Sequence, residues 1–264
     1  MGSSGRKSLQ QNLSKIVKDK NIDFTIVNGE NAAADGKGIT KDIAGELFDI
    51  GIDVITSGNH IWDKKETSEF IIKEERLLRP ENLISGSPGN GFGVFLSKDK
   101  KYKVAVINLM GNVFMKKTED LFTAAKKLQN KIKLKEQADF IVVDLHGEIT
   151  SEKMAMGHYF DGKATAVVGT HTHVPTADTR ILDNGTAFQT DIGDYGDAVS
   201  INQLSVNSRK ILILSIKFLC FAIFSLCFKR KIEPHILSSL FVAYIFYERI
   251  KCYRSSQVHL YGYS

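Results

Sequence analysis

Four times in the first 173 residues, an apolar, strand-like run ends directly in a cluster of Asn, Glu or His. Asp23-Phe24-Thr25-Ile26-Val27 runs into Asn28-Gly29-Glu30-Asn31, and Ile52-Asp53-Val54-Ile55-Thr56 into Ser57-Gly58-Asn59-His60. Phe140 to Leu145 ends at His146, and Ala164 to Val168 ends at Gly169-Thr170-His171-Thr172-His173. Helical patterns lie between. Leu9, Leu13, Ile16 and Val17 share the spacing of one amphipathic face, and Thr40 is a capping residue ahead of Ile43, Leu47 and Phe48. A third helix is expected from about Asp63, and a long one from Thr118 to Lys135. Val94 to Leu96 and Lys103 to Ile107 read as paired strands around a turn. Strands alternating with helices predict a layered α/β fold, in which ligands bind beyond the carboxyl ends of the strands.

Composition divides the chain near residue 200. Residues 201–264 hold nine Lys/Arg and two Asp/Glu, a net of +7, so the first 200 residues carry −2 of the overall +5. All three cysteines, Cys220, Cys227 and Cys252, lie in that tail, with only one glycine of 21, Gly262. No disulfide framework supports the first 200 residues, and Met1 to Lys7 lacks the apolar core of a signal peptide, so a reducing cytoplasm is the expected compartment. The body that bears the clusters is slightly acidic, which argues against a stable nucleic-acid partner.

Each cluster alone also has an ordinary structural explanation. Asn28 to Asn31 reads as a turn, His146 as a buried core histidine, and His171-x-His173 as loop histidines. Jointly, four strand ends carrying O and N donors point to a metal site. A mixed O/N donor set suits Fe, Mn or Zn better than Ca or Mg.

Gly58-Asn59-His60 followed by an acidic residue, a later strand-end His146, and Gly169-x-His171-x-His173 resemble the motifs of calcineurin-like metallophosphoesterases. More closely, Asn28-Gly29-Glu30-Asn31-Ala32-Ala33, Gly58-Asn59-His60-x-Trp62-Asp63, Arg79-Pro80-x-Asn82 and Gly169 through Asp178 look like the YmdB-type bacterial branch. Thr150-Ser151-Glu152-Lys153 and Asp161-Gly162-Lys163 fit the same pattern, and the resemblance spans roughly residues 2 to 193. It implies a four-layer αββα sandwich and a di-metal phosphodiesterase acting on 2′,3′-cyclic nucleotides. It further implies that Glu30 bridges two metals, that Asn31 and His173 serve the first, and that Asn59, His146 and His171 serve the second. Iron or manganese, or else zinc, would be the ions, and His60 the general acid that protonates the leaving ribose oxygen. Two cations about 3.5–4 Å apart neutralise a phosphodiester and activate water near neutral pH.

Two departures from that family are expected to matter. Its first strand ends in Gly-Asp, whose aspartate ligates the first metal. This chain opens on Met1-Gly2-Ser3-Ser4-Gly5-Arg6, read as a truncation or as a vector-derived scar, so the first-metal site is expected to be weakened and the neighbouring strands bared. The second departure begins after Gly193. Asp194 to Asp197 reads as a remnant of a Gly-rich loop, and from about Ser200 no family pattern is recognised. Residues 1–199 are therefore expected as the metallophosphoesterase domain and 200–264 as an unrelated tail. Ile211 to Phe228 is eighteen residues with one charge, Lys217, read as helix rather than as closing strands. Membrane anchor and out-of-frame sequence stay open for it. The alternative function is a catalytically impaired remnant that binds one metal at most. Expected partners are a small phosphodiester, a membrane only if the tail anchors, and a homo-oligomer left open.

Overall fold

The computed structural model describes residues 2–193 in full and the backbone of 200–206, 209–215 and 222–223. All of these fall in the first of two units, Met1–Ser225. In chain order the elements are α1 (Ser3–Lys20), β1 (Phe24–Asn28), α2 (Lys41–Asp49), β2 (Val54–Thr56), α3 (Thr67–Phe70), β3 (Phe92–Leu96), β4 (Lys103–Met110) and α4 (Leu121–Lys131). There follow β5 (Phe140–His146), α5 (Thr150–Tyr159), β6 (Ala166–Thr170), β7 (Arg180–Ile181), β8 (Ala187–Gln189), β9 (Ser200–Val206), β10 (Arg209–Ser215) and β11 (Ala222–Ile223). Thr40 caps α2 by accepting the Ile43 amide, a contact worth about 1 kcal/mol.

The strands form two sheets, ordered β11-β9-β10-β1-β2 and β3-β4-β5-β6-β8-β7. The expected four layers follow from the period-2 alternation of the buried strands. In β1, Val27 packs outward with Leu9 and Leu13 of α1 and Leu47 of α2, whereas Phe24 and Ile26 face the second sheet. In β5, Ile141, Val143 and Leu145 pack with Leu121 and Leu128 of α4 and Met156 of α5, whereas Phe140 and Val142 face the first sheet. Phe24, Ile26, Val54, Val104, Val106, Phe140, Val142 and Val168 close the space between the sheets. Burying each such side chain contributes roughly 1.5–3 kcal/mol.

The same alternation determines what lies at the carboxyl ends. Asn28 follows Ile26 on the inter-sheet face, Thr56 follows Val54, Asp144 and His146 follow Val142, and Thr170 follows Val168. The register pairs Asn28 with Thr56 and His146 with Thr170, so these ends are level.

Two expectations are corrected. The helix expected from Asp63 is reduced to the four residues of α3, and the long helix is the shorter α4, capped by Asp120. The run from Ile211 to Phe228 was expected to be helical, and the tail to stay out of the catalytic sheet. Instead β9 and β10 form an antiparallel pair, and β10 lies parallel to β1 in the register Phe24–Ile211 to Val27–Leu214. A short apolar run such as Ile211-Leu212-Ile213-Leu214 satisfies a buried parallel strand as readily as a helix, because periodicity alone does not separate the two. Apart from β11, the rest of the apolar run at 211–228 lies outside the described residues, as do Asp194 to Asp197. No helix among the described residues is long and apolar enough to cross a membrane.

Candidate metal centre

Each strand end delivers its donor through a local constraint. After β1 the chain turns at Gly29, whose amide donates to the Thr56 carbonyl (2.8 Å) and where a Cβ would lie 2.7 Å from Ile55 Cγ2. That close approach directs Glu30 inward, where it is 2% exposed. After β2, Gly58 packs so closely under the His146 ring that a Cβ there would lie 2.3 Å from Nε2. After β6, His171 and His173 adopt positive φ, 98° and 63°, a left-handed conformation that side chains rarely take. Asp191 holds that turn. Its Oδ2 accepts both the amide and the hydroxyl of the intervening Thr172 (3.3 and 2.8 Å), and the buried ammonium of Lys153 donates to it at 2.5 Å.

The donors meet around His146 Nε2. Glu30 Oε1 and Asn59 Oδ1 are each 2.9 Å from it, and His171 Nδ1 is 3.1 Å away. Ligand atoms of Glu30, His146 and His171 all lie within 4.8 Å of one another, a grouping able to hold a metal ion. One imidazole N–H cannot serve three acceptors, so lone pairs face one another here, an arrangement that a cation relieves. Asn31 and His173 adjoin the group, with Asn31 Nδ2 3.4 Å from His173 Nε2. Asn31 follows Glu30 directly in the chain. One carboxylate, three imidazoles and two amides make up the mixed O/N donor set expected from the sequence.

Electrostatics bind the centre together even without a cation. Burial raises the proton affinity of Glu30, but His146, together with His60 and His171, outweighs it and holds the carboxyl down to about 2. Burial likewise opposes charging of His146, yet Glu30 pulls its pKa above the ordinary value. His171 moves the other way, lowered by burial and by the His146 charge.

His60 stands at the rim rather than within the donor set. Its amide donates to Glu30 Oε1 (3.2 Å), and its Nδ1 lies 2.7 Å from Asp63 Oδ2. Lys116 adds a cation there, with Nζ 2.6 Å from the Asn59 carbonyl and 3.3 Å from Asp63 Oδ1.

Sequence reading missed several contributors. Glu148 Oε2 lies 3.0 Å from His171 Nε2, leaving Nδ1 to face the centre. Asp191 and Lys153 act through the turn. Asp144, fully enclosed beneath the site, accepts from Asn28, Thr56 and Thr170. Its signal was visible as the lone carboxylate in the otherwise apolar run Phe140 to Leu145.

Known proteins carry the same architecture. The chain is 46% identical over 196 residues to the 2′,3′-cyclic-nucleotide 2′-phosphodiesterase of Bacillus subtilis, covering 74% of this chain and 72% of that protein. Its fold matches the crystal structure of a hypothetical protein from Thermus thermophilus with a TM-score of 0.66 and 40% identity, over 73% of both chains. A novel phosphatase from Mycoplasma pneumoniae matches with a TM-score of 0.66 and 38% identity, over 73% of this chain and 68% of that one. The fold is that of calcineurin-like metallophosphoesterases. The family described as YmdB-like protein matches residues 1–210, which extends the likeness past Ser200, where no family pattern had been recognised, and into β10. By fold, by shared sequence and by the span of that match, this chain belongs to the YmdB-like family.

Proposed function

We propose that the chain hydrolyses 2′,3′-cyclic nucleotides at a two-metal centre, opening the 2′ ester and releasing the nucleoside 3′-phosphate. The observation that carries this reading is the convergence of Glu30, Asn59 and His171 on His146 Nε2. Glu30 would be shared between two ions, Asn59, His146 and His171 would hold one, and Asn31 and His173 the other. Iron or manganese suits these donors best. When bound, the ions supply Lewis acidity to the phosphodiester and lower the pKa of water.

The chain's own residues do the rest. In the balanced reaction, the oxygen of water adds to phosphorus, the P–O2′ bond breaks, O2′ leaves with a proton, and the proton that water gives up restores the donor. His60 would supply that proton. Its Nδ1 is held by Asp63, which orients the ring and leaves Nε2 for the leaving oxygen. Lys116, beside Asp63, balances the negative charge at the rim. A first 200 residues without cysteine suits a reducing cytoplasm, to which we assign the activity.

The test is turnover of 2′,3′-cyclic AMP by the manganese-loaded chain. We expect 3′-AMP as product and loss of turnover in Glu30→Gln. A folded, metal-loaded chain that leaves the substrate intact would refute the reading.

A single-ion centre is the second reading. Among the described residues, the only set of three or more His, Cys, Asp or Glu able to hold a metal is Glu30, His146 and His171. Metal content decides between them, with two ions per chain for the first reading and one for the second.

A further inference from the structure

Beneath the donor set, the two sheets are joined through one buried carboxylate that ligates nothing. Asp144 is 3% exposed and lies on the inter-sheet face of β5, two residues before His146. Its Oδ2 accepts Asn28 Nδ2 (3.0 Å) from β1 and Thr56 Oγ1 (2.5 Å) from β2. Its Oδ1 accepts Thr170 Oγ1 (2.8 Å) from β6.

The directions of these bonds follow from counting hydrogens. Asn28 Oδ1 accepts the Glu30 amide (3.1 Å), so the Asn28 NH2 group must be the part that meets Asp144. Thr170 has one hydroxyl hydrogen, and the carboxylate takes it. The same oxygen lies 3.0 Å from His146 Nδ1 and can then only accept, so Nδ1 carries a hydrogen. Set by Thr170 alone, the neutral ring carries its lone pair on Nε2, the atom that Glu30, Asn59 and His171 surround and at which the Glu30 carboxylate, 2.9 Å away, competes for a hydrogen.

We propose that Asp144 is the positioning residue of this centre: through Thr170 it fixes the tautomer of His146 so that Nε2 presents its lone pair, and through Asn28 it places Glu30. A metal-binding imidazole generally depends on a partner at its other nitrogen, and loss of that partner typically costs 10–100-fold in affinity. Here the partner is a hydroxyl whose direction is set by a carboxylate one step further away. The inference rests on His146 as a ligand, but it concerns the ring's hydrogen, which can be read without any substrate.

The test uses the full chain with 15N-labelled histidine, metal-free and at alkaline pH where the ring is neutral, together with Mn2+ titration. We expect the parent to show His146 protonated at Nδ1. Thr170→Val should lose 10–100-fold in Mn2+ affinity, while Thr170→Ser, which keeps the hydroxyl, binds as the parent does. In Asp144→Asn the two donors on Oδ2 keep the amide oxygen there. The new NH2 then faces Thr170, whose hydrogen turns to Nδ1, so the ring should switch to the Nε2–H form and Mn2+ affinity should fall. A parent ring protonated at Nε2 would overturn the proposal. So would a folded Asp144→Asn chain with unchanged tautomer and affinity. The parent spectrum needs no variant, so a variant that fails to fold leaves the proposal exposed to it. A parent with the Nδ1–H ring that binds Mn2+ but turns over no cyclic nucleotide would refute the proposed function alone.

Discussion

Glu30 and His146 are buried together, 2% and 1% exposed, and each changes the other's proton affinity. Glu30 titrates at about 2 instead of its ordinary 4.5, so its stabilising contribution is complete above about 4.5 and is lost as pH falls towards 2. His146 is raised above its ordinary 6.5, so its contribution is complete below about 6.5 and is lost as pH rises beyond that. In the metal-free chain the pair should therefore stabilise most between about pH 4.5 and 6.5. Urea unfolding of the parent and of Glu30→Gln, carried below and above that window, checks this, and a stability difference that does not shrink on either side of it would contradict it. In the proposed reaction His60 acts differently, passing a proton to the leaving oxygen rather than holding an ion. His60→Ala should lower turnover by roughly 10²–10⁴-fold, the usual contribution of a general acid, with metal content unchanged. Loss of metal together with turnover would instead make His60 part of the donor set.

Between residue and molecule stand the short segments that aim the donors. The turn at His171 and His173 keeps its left-handed backbone because Asp191, neutralised by Lys153, grips Thr172 between them. Lys153→Met leaves a buried carboxylate without its cation and should destabilise the chain by about 3–5 kcal/mol. The double variant Lys153→Met with Asp191→Leu should lose less stability while still releasing the histidine turn. Denaturant midpoints and Mn2+ affinity on the two variants separate those effects. The strand ends were legible in the sequence because buried strands are apolar without interruption and their polar termini stand out. Asp191 and Lys153 were not, because a buried ion pair between distant elements has no local pattern. Helix α5 went unread for a related reason: of its ten residues only Lys153, Met156 and Gly157 are buried, too few to mark an apolar stripe.

Across the whole molecule, the centre exists because two sheets face each other and bring β1 and β2 over β5 and β6. The order of the first sheet depended on a segment whose letters also suit a helix. The run Ile211 to Leu214 became legible only as the parallel partner of β1, a contact between residues nearly two hundred apart. If β10 holds that position, a proline at Ile213, opposite Ile26, should speed amide exchange at Phe24 to Val27. Unchanged protection would remove β10 from beside β1. The central claim is that side chains from separate strand ends of both sheets close on one metal centre around Glu30. Anomalous diffraction at the manganese edge, from crystals of the Mn2+-loaded chain, tests it most directly. The account predicts one peak bounded by Glu30, Asn59, His146 and His171, and a second on the side of Asn31 and His173. Manganese bound elsewhere, with no peak in bonding distance of the Glu30 carboxylate, would contradict it.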